Sequence, residues 1–551
     1  MPQILRPALL AIVACTAVAG SALVGAPKAH AIGACPTLVQ GTDFTTFSDL
    51  QTLFTAQRFC DEGSMTVDFT SDFTWPDDAS LIWDGQDHQP LLLRGTGPNT
   101  PTVTGYKAAV IVNNSDGGLT VSNLTIKKGD VGQDNAIFGS VGNVVLNNAT
   151  VLGRAGEANG RAIRTGDGDV SITNSTIKDN NTGSGAGVSV DGAHSVTITN
   201  STISNNQATF QGGGGIYAET GTVTILNSTI SGNSANPGSG GGIYLSGAGS
   251  IVVTNSTISG NSATSKGAGI ESYGSVAITN STVTGNTATD ADASAGGLLG
   301  HGIDWNLKFA TIADNTAGTG GGGNISDDVG STAFTSIGSV IATAGQSSCT
   351  GITPGPTSTY NATATGDSSC GFGQSGGPGN FSATSGELNL GALAVNGNPS
   401  GTQTMLPNTG STLINAVPAA TGQEAIGPNA TDQRSITRTG EFWVGAAQGP
   451  SSSTLAQTPA NNCVHKSVNV PRRGTRWLMK ANCVTNAGQK ITVKASARTP
   501  RGDAKFFSVY RKRDGTTMIR TYGTKIKLTL TWSAAATGSY SAFKYRRTQT
   551  T

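Results

Sequence analysis

Seven asparagines recur along this chain at intervals of 25, 26, 26, 27, 28 and 25 residues, and their neighbours repeat with them. A threonine follows two positions after each asparagine, and an isoleucine or valine follows three positions after it. A period of this length with fixed apolar positions indicates stacked coils, because each coil buries its apolar edge only against its neighbours. The column consists of Asn123, Asn148, Asn174, Asn200, Asn227, Asn255 and Asn280, with Phe309 in the eighth place.

The residues that flank each asparagine exclude stacked helices. They alternate between apolar and polar and are mostly β-branched, as in the segment 196–199 (Val-Thr-Ile-Thr), which is the pattern of strands. The sequence therefore predicts a parallel β-solenoid whose repeated columns form ladders along the axis. Amide side chains can pass hydrogen bonds from coil to coil in such ladders. We expect this of the first column and of a second one, made of Asn180, Asn206, Asn233, Asn261, Asn286 and Asn315.

The charge is distributed unevenly, although the net charge of the whole chain is only +1. Residues 452–551 contain 19 Lys and Arg against two Asp, a net charge of +17. The rest of the chain has 15 basic against 31 acidic residues, a net charge of −16. A basic module is therefore fused to an acidic body, and a strongly basic module indicates polyanionic partners.

The N-terminus has the form of a secretory signal. Arg6 precedes the apolar stretch 8–14, and the segment 29–31 (Ala-His-Ala) has the small-x-small form of a cleavage site. No other stretch approaches the roughly 18 apolar residues of a membrane span. We expect the mature protein to be secreted or held at the surface of a bacterial cell, with no transmembrane segment.

Six cysteines remain after the signal, and they fall in close pairs, one pair in each segment of the chain. Fifteen pairings are formally allowed, but local pairing in an oxidising compartment favours three disulfides. Metal binding is the weaker interpretation, because no Cys-x-x-Cys or clustered histidine accompanies them. The predicted disulfides are Cys35–Cys60, Cys349–Cys370 and Cys463–Cys483.

The predicted fold is all-β: a parallel β-helix with an N-terminal helical cap and a small C-terminal antiparallel β-sandwich. Phe47, Leu50, Leu53 and Phe54 stand at helical spacing, and a helix there would cover the open end of the solenoid. The C-terminal module alternates apolar and polar residues, as in the segment 526–532. The predicted segments are a signal peptide 1–31, cap and first coils 32–100, β-helix 101–450 (regular coils to about 345, decorated terminal coils 346–450), linker 451–458 and basic sandwich 459–551.

The coils resemble right-handed parallel β-helix proteins of bacterial surfaces, in the pectin-lyase-like superfamily. The resemblance rests on the coil motif Val-Thr-Ile-Thr-Asn-Ser-Thr-Ile-Ser followed by Gly-Gly-Gly-Ile-Tyr, and it covers roughly residues 100–450. The segments 431–434 (Thr-Asp-Gln-Arg) and 444–446 (Val-Gly-Ala) are similar to the end of the choice-of-anchor group. That group implies an exported β-helix tethered by an interchangeable C-terminal module. The fold alone does not imply an activity.

Four residues are candidates for catalysis, should the protein be an enzyme. Arg164 and Asp167 belong to a dense charged turn. A lyase could use a basic residue there as its catalytic base and an acidic residue there to bind Ca²⁺ as its cofactor. His301 and Asp304 lie where Phe309 breaks the asparagine column, and a break in a repeat is one place where function arises. Solvated turn charges and the start of an end cap are the competing interpretations of these two groups.

The basic module contains the candidate binding residues. With apolar residues on the opposite faces of its strands, the charge gathers on exposed surface and attracts polyanions. The tyrosines among these residues could stack on sugars or bases, or could belong to the core of the sandwich. The candidates are Arg472, Arg473, Arg511, Lys512, Arg513, Arg546 and Arg547.

The sequence thus predicts a non-catalytic surface protein with an adhesive, structural or glycan-binding role, retained at the envelope by its basic module. Its expected partners are polyanions of the cell envelope or a polysaccharide, with no cofactor. The alternative is a polysaccharide lyase or glycoside hydrolase that holds its substrate along one face of the β-helix, and Ca²⁺ enters only for the lyase.

Overall fold

A computed structural model describes most of the β-helix and the strands of the C-terminal module. The signal segment 1–31 and the linker 451–458 lie outside the described residues. The described ranges are 34–57, 60, 63–76, 79–84, 89–105, 109–128, 135–154, 160–318, 321–343, 345–373, 376–428, 430–448, 464, 468–471, 473–480, 483, 490–498, 507–513, 516–522, 527–534 and 543–550.

Short strands make up nearly all of the described secondary structure. The cap and first coils contain β1 (Thr37–Val39), α1 (Phe47–Gln57), β2 (Met65–Phe69), β3 (Phe73–Thr74), β4 (Leu81–Trp83), β5 (Leu91–Gly95), β6 (Thr102–Gly105), β7 (Ile111–Asn113), β8 (Leu119–Ser122), β9 (Thr125–Lys128), β10 (Ile137–Gly139), β11 (Val144–Asn147), β12 (Thr150–Leu152) and β13 (Ile163–Thr165). The central coils contain β14 (Val170–Thr173), β15 (Thr176–Lys178), β16 (Asn181–Thr182), β17 (Val188–Val190), β18 (Val196–Thr199), β19 (Thr202–Ser204), β20 (Gln207–Ala208), β21 (Ile216–Ala218), β22 (Gly221–Leu226), β23 (Thr229–Ser231), β24 (Ser234–Ala235), β25 (Ile243–Leu245), β26 (Gly249–Thr254), β27 (Thr257–Ser259) and β28 (Ser262–Ala263).

The remaining elements complete the β-helix and form the C-terminal module. The last coils and the segment after them contain β29 (Ile270–Ser272), β30 (Ser275–Thr279), β31 (Thr282–Thr284), β32 (Thr287–Ala288), β33 (Leu298–Gly300), β34 (Asp304–Lys308), β35 (Thr311–Ala313), β36 (Ile325–Asp327), β37 (Ala333–Ile337), β38 (Val340–Ala342), β39 (Cys349–Thr350), β40 (Ala362–Ala364), β41 (Phe381–Ala383), α2 (Ser385–Leu388) and α3 (Ala419–Ile426). The C-terminal module contains β42 (Arg473–Met479), β43 (Thr492–Arg498), β44 (Phe507–Arg511), β45 (Thr517–Tyr522), β46 (Lys527–Ala534) and β47 (Phe543–Thr550).

The strands of successive coils pair in parallel and build four sheets that run along the axis, which confirms the predicted parallel β-solenoid. Sheet 1 has 12 strands from β1 to β37, sheet 2 has 13 from β3 to β41, sheet 3 has 11 from β4 to β39, and sheet 4 has five from β16 to β32. Equivalent residues face each other, as Ile172 faces Ile198 between β14 and β18. The Ile and Val columns fill the interior, and Thr and Ser alternate outward because side chains in a strand alternate faces.

The two asparagine columns have different roles. The first column occupies the turn between sheets 1 and 2, where every member has a φ between 47° and 51°, a conformation that asparagine tolerates better than most residues. The second column is the buried amide ladder. In it Asn233 Oδ1 accepts from both Nδ2 and N of Asn206 at 3.0 Å, and Asn233 Nδ2 donates to Asn261 Oδ1 at 3.0 Å. The prediction of a side-chain ladder holds along the second column, whereas the first shows it between Asn148 and Asn123.

Helix α1 covers the first coils, as its apolar spacing predicted. It buries Phe47, Leu50 and Phe54, and the rings of Phe47 and Phe54 pack against Trp75 and Trp83 with centroids 4.9 Å and 5.4 Å apart. The Phe54–Trp83 pair is edge to face and the Phe47–Trp75 pair is tilted, and such aromatic contacts add to the apolar burial. The disulfide Cys35–Cys60 forms as predicted and joins Cys60, three residues after the helix, to Cys35, two residues before β1.

The segment 346–448 contains more than terminal coils. Strands β39, β40 and β41 extend sheets 3 and 2, and the predicted disulfide Cys349–Cys370 forms here. Residues 389–448, here called the strap, then run back along the outer face of sheet 2. Thr257 Oγ1 donates to the carbonyl of Gln403 at 2.6 Å, and the backbone N of Ala446 donates to Thr311 Oγ1 at 2.9 Å. The strap therefore covers the last coils along their side.

Phe309 breaks the asparagine column because it anchors the strap. It has the same φ of 51° as the asparagines, but its ring is buried and lies 5.6 Å from the ring of Phe442 in the strap. The buried guanidinium of Arg438 lies 4.5 Å from the centre of the Phe309 ring. The pKa of Arg438 is lowered to about 10, and burial is the main cause. The break in the asparagine column therefore marks where the strap docks on the side of the coils.

The C-terminal module has two antiparallel sheets of three strands, β42–β45–β44 (sheet 5) and β43–β46–β47 (sheet 6). Leu478 and Ile519 of sheet 5 share one buried cluster with Leu530 and Trp532 of sheet 6, as the predicted sandwich requires. The indole Nε1 of Trp532 donates to the carbonyl of Leu478 at 3.1 Å. Cys483 is disulfide-bonded, and its predicted partner Cys463 lies outside the described residues.

Candidate functional site

The outer face of sheet 3 carries a row of aromatic and charged side chains. In β21, Ile216 and Ala218 are buried and Tyr217 between them is half-buried, so the central residue of the strand points away from the core. The parallel register places the central residues of successive strands side by side. From β4 to β36 this outer row consists of Ile82, Val112, Phe138, Arg164, Ser189, Tyr217, Tyr244, Glu271, Leu299 and Ser326.

Glycine-rich segments pass over the stems of the tyrosines in this row. Gly213 and Gly240 have φ values of +67° and +61°. A Cβ on Gly213 would lie 2.8 Å from the Cβ of Tyr217, and one on Gly240 would lie 2.6 Å from the Cβ of Tyr244. No larger residue fits at either position. The glycine segments thus pack closely against the row at Tyr217 and Tyr244. The part of the row from Phe138 to Glu271 is here called the outer groove.

Three tyrosines lie at the C-terminal end of the outer groove. The rings of Tyr217 and Tyr244 meet edge to face with centroids 5.8 Å apart. Tyr273 follows on the turn after β29, is 44% exposed, and stacks on the imidazole of His301 at 3.9 Å and 12°. Burial, and next the charge of Glu271, raise the pKa of both Tyr244 and Tyr273, so their hydroxyl groups stay protonated at neutral pH.

The predicted candidates Arg164 and Asp167 lie at the other end of the groove but belong to separate ion pairs. Arg164 Nη2 lies 2.9 Å from Asp191 Oδ2, and Asp167 Oδ1 lies 2.8 Å from His194 Nε2. Asp167 is largely exposed, as expected for a solvated turn charge. No hydrogen bond or ion pair joins Arg164 to Asp167 within the part of the chain that the structure describes.

The predicted candidate His301 belongs to a chain of charged groups beside the tyrosines. Its Nε2 lies 3.0 Å from Glu271 Oε1, and its Nδ1 lies 3.9 Å from Asp328 Oδ2. Lys266 Nζ lies 2.7 Å from the same Asp328 oxygen. Glu271 and His301 are nearly buried, with side chains 5% and 12% exposed. We refer to Lys266, Glu271, His301 and Asp328 as the acidic cluster.

The other predicted candidate at this end, Asp304, does not join the cluster. It is exposed at the start of β34 in sheet 1. The neighbouring Asp327 is a structural carboxylate: its oxygens accept from the backbone N of Gly302 at 2.7 Å and from the indole of Trp305 at 3.1 Å. A cavity of about 630 Å³ lies beside the cluster, lined by residues that include Asp292, Ser294, Ser326, Asp327 and Asp328.

The pair of Lys266 and Asp328 predicts how stability depends on pH. Burial alone would raise the pKa of Asp328, but hydrogen bonds from Lys266 and Ser294 outweigh it and hold that pKa below its usual value. The same hydrogen bond to Asp328 raises the pKa of Lys266. A lowered carboxyl pKa stabilises the fold above the unfolded pKa of about 3.9, and that contribution is lost as the pH falls through the folded value.

We therefore expect Asp328→Asn to reduce the free energy of unfolding by about 0.5–1 kcal/mol near pH 7, as for a partly exposed ion pair. The difference from the unmodified protein should be smaller at acid pH, as the pH falls through the lowered folded pKa of Asp328. Denaturant unfolding at neutral and at acid pH measures this difference in the free energy of unfolding. Asp304→Asn, at an exposed position, is the matched control. A deficit that is equal at both pH values would contradict this account.

The described basic candidates of the C-terminal module are exposed, on strands of both sheets and on the turn after β44. On sheet 5, Arg473 is opposite Tyr522, and the Arg520 guanidinium lies 5.7 Å from the Tyr522 ring. Tyr510 and Tyr522 are 40% and 49% exposed, so they are surface residues, whereas Trp532 lies in the core. The exposed basic candidates are Arg473, Arg511, Lys512, Arg513 and Arg546, while Arg472 and the side chain of Arg547 lie outside the described residues.

Several functional candidates were not identified from the sequence. Glu271, Tyr244 and Tyr273 lie at repeat positions that differ from coil to coil, and their grouping depends on which residues lie side by side in sheet 3. A usable signal was the residue after each Gly-Gly-Gly-Ile or Gly-Ala-Gly-Ile stretch, which is Tyr217, Tyr244 and Glu271 in successive coils. Within the described ranges, no group of three or more His, Cys, Asp or Glu side chains is arranged to hold a metal ion. None of the helices in those ranges has the length and apolar character needed to cross a membrane.

The fold and its repeated coils define a right-handed parallel β-helix. Residues 108–317 match the family described as the right-handed β-helix region. Among solved structures, the chain is similar to the crystal structure of Dettilon tailspike protein (gp208), with 12% sequence identity over 91% of this chain and 77% of that one, and a TM-score of 0.31. No curated protein matches the chain.

Proposed function

We propose that this protein is an exported bacterial surface protein that binds a glycan in its outer groove without catalysing a reaction on it. The observation that carries the proposal is the outer row of the β-helix, where Tyr217 and Tyr244 are neighbours, Phe138 lies three strands before Tyr217, and Tyr273 follows Glu271 by two residues. Tyrosine offers a flat apolar ring with a polar edge, which suits the apolar faces and hydroxyl groups of sugars. The two disulfides in the described residues indicate an oxidising, extracellular compartment.

The spacing of the outer groove also supports the proposal of an extended ligand. Its row of central residues advances by one strand spacing per coil, about 4.8 Å, so several coils present side chains along one line. Arg164 and Asp191 pair at one end and the acidic cluster closes the other. A linear chain of sugars would contact several coils at once, and the repeated rings would contribute separately.

We expect Tyr244→Ala to weaken glycan binding about three- to tenfold, because an aromatic contact contributes roughly 0.5–1.5 kcal/mol beyond area burial. Tyr217→Ala should have a similar effect. Titration of the full-length protein with a panel of plant, microbial and host oligosaccharides measures both. The matched control is Tyr522→Ala, which removes an exposed tyrosine from the C-terminal module and should leave the affinity unchanged. Equal affinities of all four proteins would contradict the location of the site.

We propose further that the C-terminal module retains the β-helix at the cell envelope by binding polyanions. Arg473, Lys512, Arg513 and Arg546 are exposed on a module with its own buried core. Basic surfaces of this kind bind polyanions through release of counterions. A β-helix with a C-terminal retention module is the arrangement of the choice-of-anchor group that the sequence resembles.

The double variant Lys512→Glu/Arg513→Glu should bind purified envelope at least about tenfold more weakly at low salt, and the difference should shrink as salt screens the charges. Sedimentation of the full-length protein with envelope fragments measures this. The double variant Lys127→Glu/Lys308→Glu makes the same charge change on the coils and should sediment like the unmodified protein. Equal loss in both double variants would show that net charge, and not this surface, holds the protein.

A second candidate function is hydrolysis of a polysaccharide, which the acidic cluster favours. Glu271 is nearly buried beside His301, and Asp328 lies on the other side of the imidazole. Two carboxyl groups in different surroundings are the arrangement that general acid–base catalysis on a glycosidic bond uses. The test follows new reducing ends, with and without Ca²⁺, and the absence of ultraviolet-absorbing unsaturated products distinguishes hydrolysis from the action of a lyase. Activity that is lost in Glu271→Gln would replace the binding proposal with this one.

A further inference from the structure

The outer face of sheet 5 combines aromatic rings with arginines. In β45, Ile519 and Thr521 are buried, whereas Arg520 and Tyr522 are exposed, so alternate residues of this strand point away from the core. Directly opposed residues of an antiparallel sheet point to the same face. The register therefore places these side chains together on the outer face: Arg473, Thr475, Trp477, Ser508, Tyr510, Met518, Arg520 and Tyr522.

The rings of this face are accessible to a ligand. Tyr510 is 40% exposed and Tyr522 is 49% exposed. A hydrogen bond of 2.7 Å joins the hydroxyl oxygens of Tyr522 and Ser508 and orients the Tyr522 ring. The Arg520 guanidinium lies 5.7 Å from the centre of that ring, within the range of a cation–π contact. A flat group that lies on this face would therefore meet exposed rings and a positive charge side by side.

The charge of the face suits a polyanion. Strands β42, β44 and β45 contain four arginines and no acidic residue. Arg473 and Arg520 are diagonal neighbours in the register, which places them about 7–8 Å apart, and a guanidinium can bind a phosphate through two parallel hydrogen bonds. The two acidic residues of the module, Asp503 and Asp514, lie outside the described residues, but residues 452–551 contain 19 basic residues against these two.

The rings and arginines together distinguish between classes of polyanion. A polyanion without flat groups would bind the arginines alone, and a duplex keeps its bases stacked inside the helix. Sugar hydroxyl groups donate as well as accept hydrogen bonds, and the eight side chains of this face include no carboxylate or carboxamide to accept from them. A single strand of nucleic acid offers both phosphates and bases whose flat faces can stack on aromatic side chains.

We infer that the outer face of sheet 5 binds single-stranded nucleic acid. Bases stack on the rings of Tyr510 and Tyr522. Phosphates accept hydrogen bonds from Arg473 and Arg520. The inference rests on the proposal that the C-terminal module binds polyanions, and it names the face and the class of polyanion. DNA and RNA single strands share this chemistry, so both are tested.

The test titrates the full-length protein with oligothymidylate and oligouridylate of about 20 nucleotides, longer than most single-strand sites. Tyr510→Ala and Tyr522→Ala should each weaken binding about fivefold or more, because each removes a base stack, and should leave the salt dependence unchanged. Arg520→Gln should weaken binding and reduce the slope of log affinity against log salt concentration by about 0.7, the value for one phosphate of a single strand. The matched control is Phe210→Ala, which removes a 69% exposed ring from the coils and should leave the affinity unchanged.

A second measurement does not depend on how the variants fold. The unmodified protein is titrated with an abasic oligonucleotide of the same length, duplex DNA, polyphosphate and oligogalacturonate, and each should bind about tenfold more weakly than the single strands. Equal or tighter binding of any of these four, or unchanged affinity in both tyrosine variants, would overturn the inference. The polyanion proposal would still stand in those cases if envelope binding depends on Lys512 and Arg513. A protein that binds neither envelope nor any of these polyanions would overturn both.

Discussion

Replacing Asn233 with alanine should reduce the free energy of unfolding by about 3–5 kcal/mol, the range for a broken buried hydrogen-bond network. The side chain is fully buried. Its Oδ1 accepts two hydrogen bonds from Asn206, and its Nδ2 donates to Asn261 Oδ1 and to the carbonyl of Ile203, all at 3.0 Å. Alanine would leave the donors and acceptors of two neighbouring coils unpaired. Denaturant unfolding of the full-length protein measures the loss.

The matched control is Asn227→Ala, six residues earlier in the same coil. Asn227 belongs to the first column, is half-exposed, and has a φ of 50°. Asn227→Ala should reduce the free energy of unfolding only by the cost of placing alanine in the left-handed conformation, about 1–2 kcal/mol. Asn227→Gly should leave the free energy of unfolding nearly unchanged, because glycine adopts that conformation freely. Equal losses in Asn233→Ala and Asn227→Ala would contradict the division of roles between the two columns.

Arg434→Met should destabilise the strap by about 3–5 kcal/mol, because it leaves a buried carboxylate without its partner. Arg434 Nη2 lies 2.5 Å from Asp432 Oδ2, and neither side chain is exposed. The guanidinium also donates to the carbonyl of Gln448. We expect limited proteolysis to cut residues 389–448 first while the coils stay resistant, and the unfolding transition to shift to lower denaturant.

Two further variants make this result specific. Arg473→Met removes an exposed arginine from the C-terminal module and should change the free energy of unfolding by less than about 0.5 kcal/mol. Adding Asp432→Asn to Arg434→Met should recover part of the loss, since the unpaired charge is then gone. A double variant less stable than Arg434→Met alone would show that the hydrogen bonds to Asp432, and not its charge, hold the strap.

The regular coils could be predicted from the sequence because their cause is local and repeated. Each coil has the same apolar positions, so one coil already shows which side chains face inward, and the period shows how coils stack. The helix α1 followed from its own apolar spacing in the same way. Two disulfides followed from their short separation, as in Cys349–Cys370.

The strap and the site could not be predicted, for the opposite reason. The strap is held by single contacts between distant segments, such as Gln433 with Ser256 and Thr257, and no periodicity marks them. The acidic cluster combines Lys266, Glu271, His301 and Asp328 from consecutive coils whose turns differ in length. His301 was recognised as a candidate, but its partner Glu271 becomes apparent only when the register of sheet 3 is known.

The strap also fixes the order in which the β-helix can be completed. Its side-chain contacts reach residues that precede it by 135 to 177 positions, and those residues are arranged in a line only after their coils have stacked. Coils can add to a growing stack one at a time, because each contacts only its neighbours, whereas the strap can dock only at the end. Once docked, it contacts β27, β31 and β35 together, so these coils must open as one cooperative unit while the earlier coils remain free to open singly.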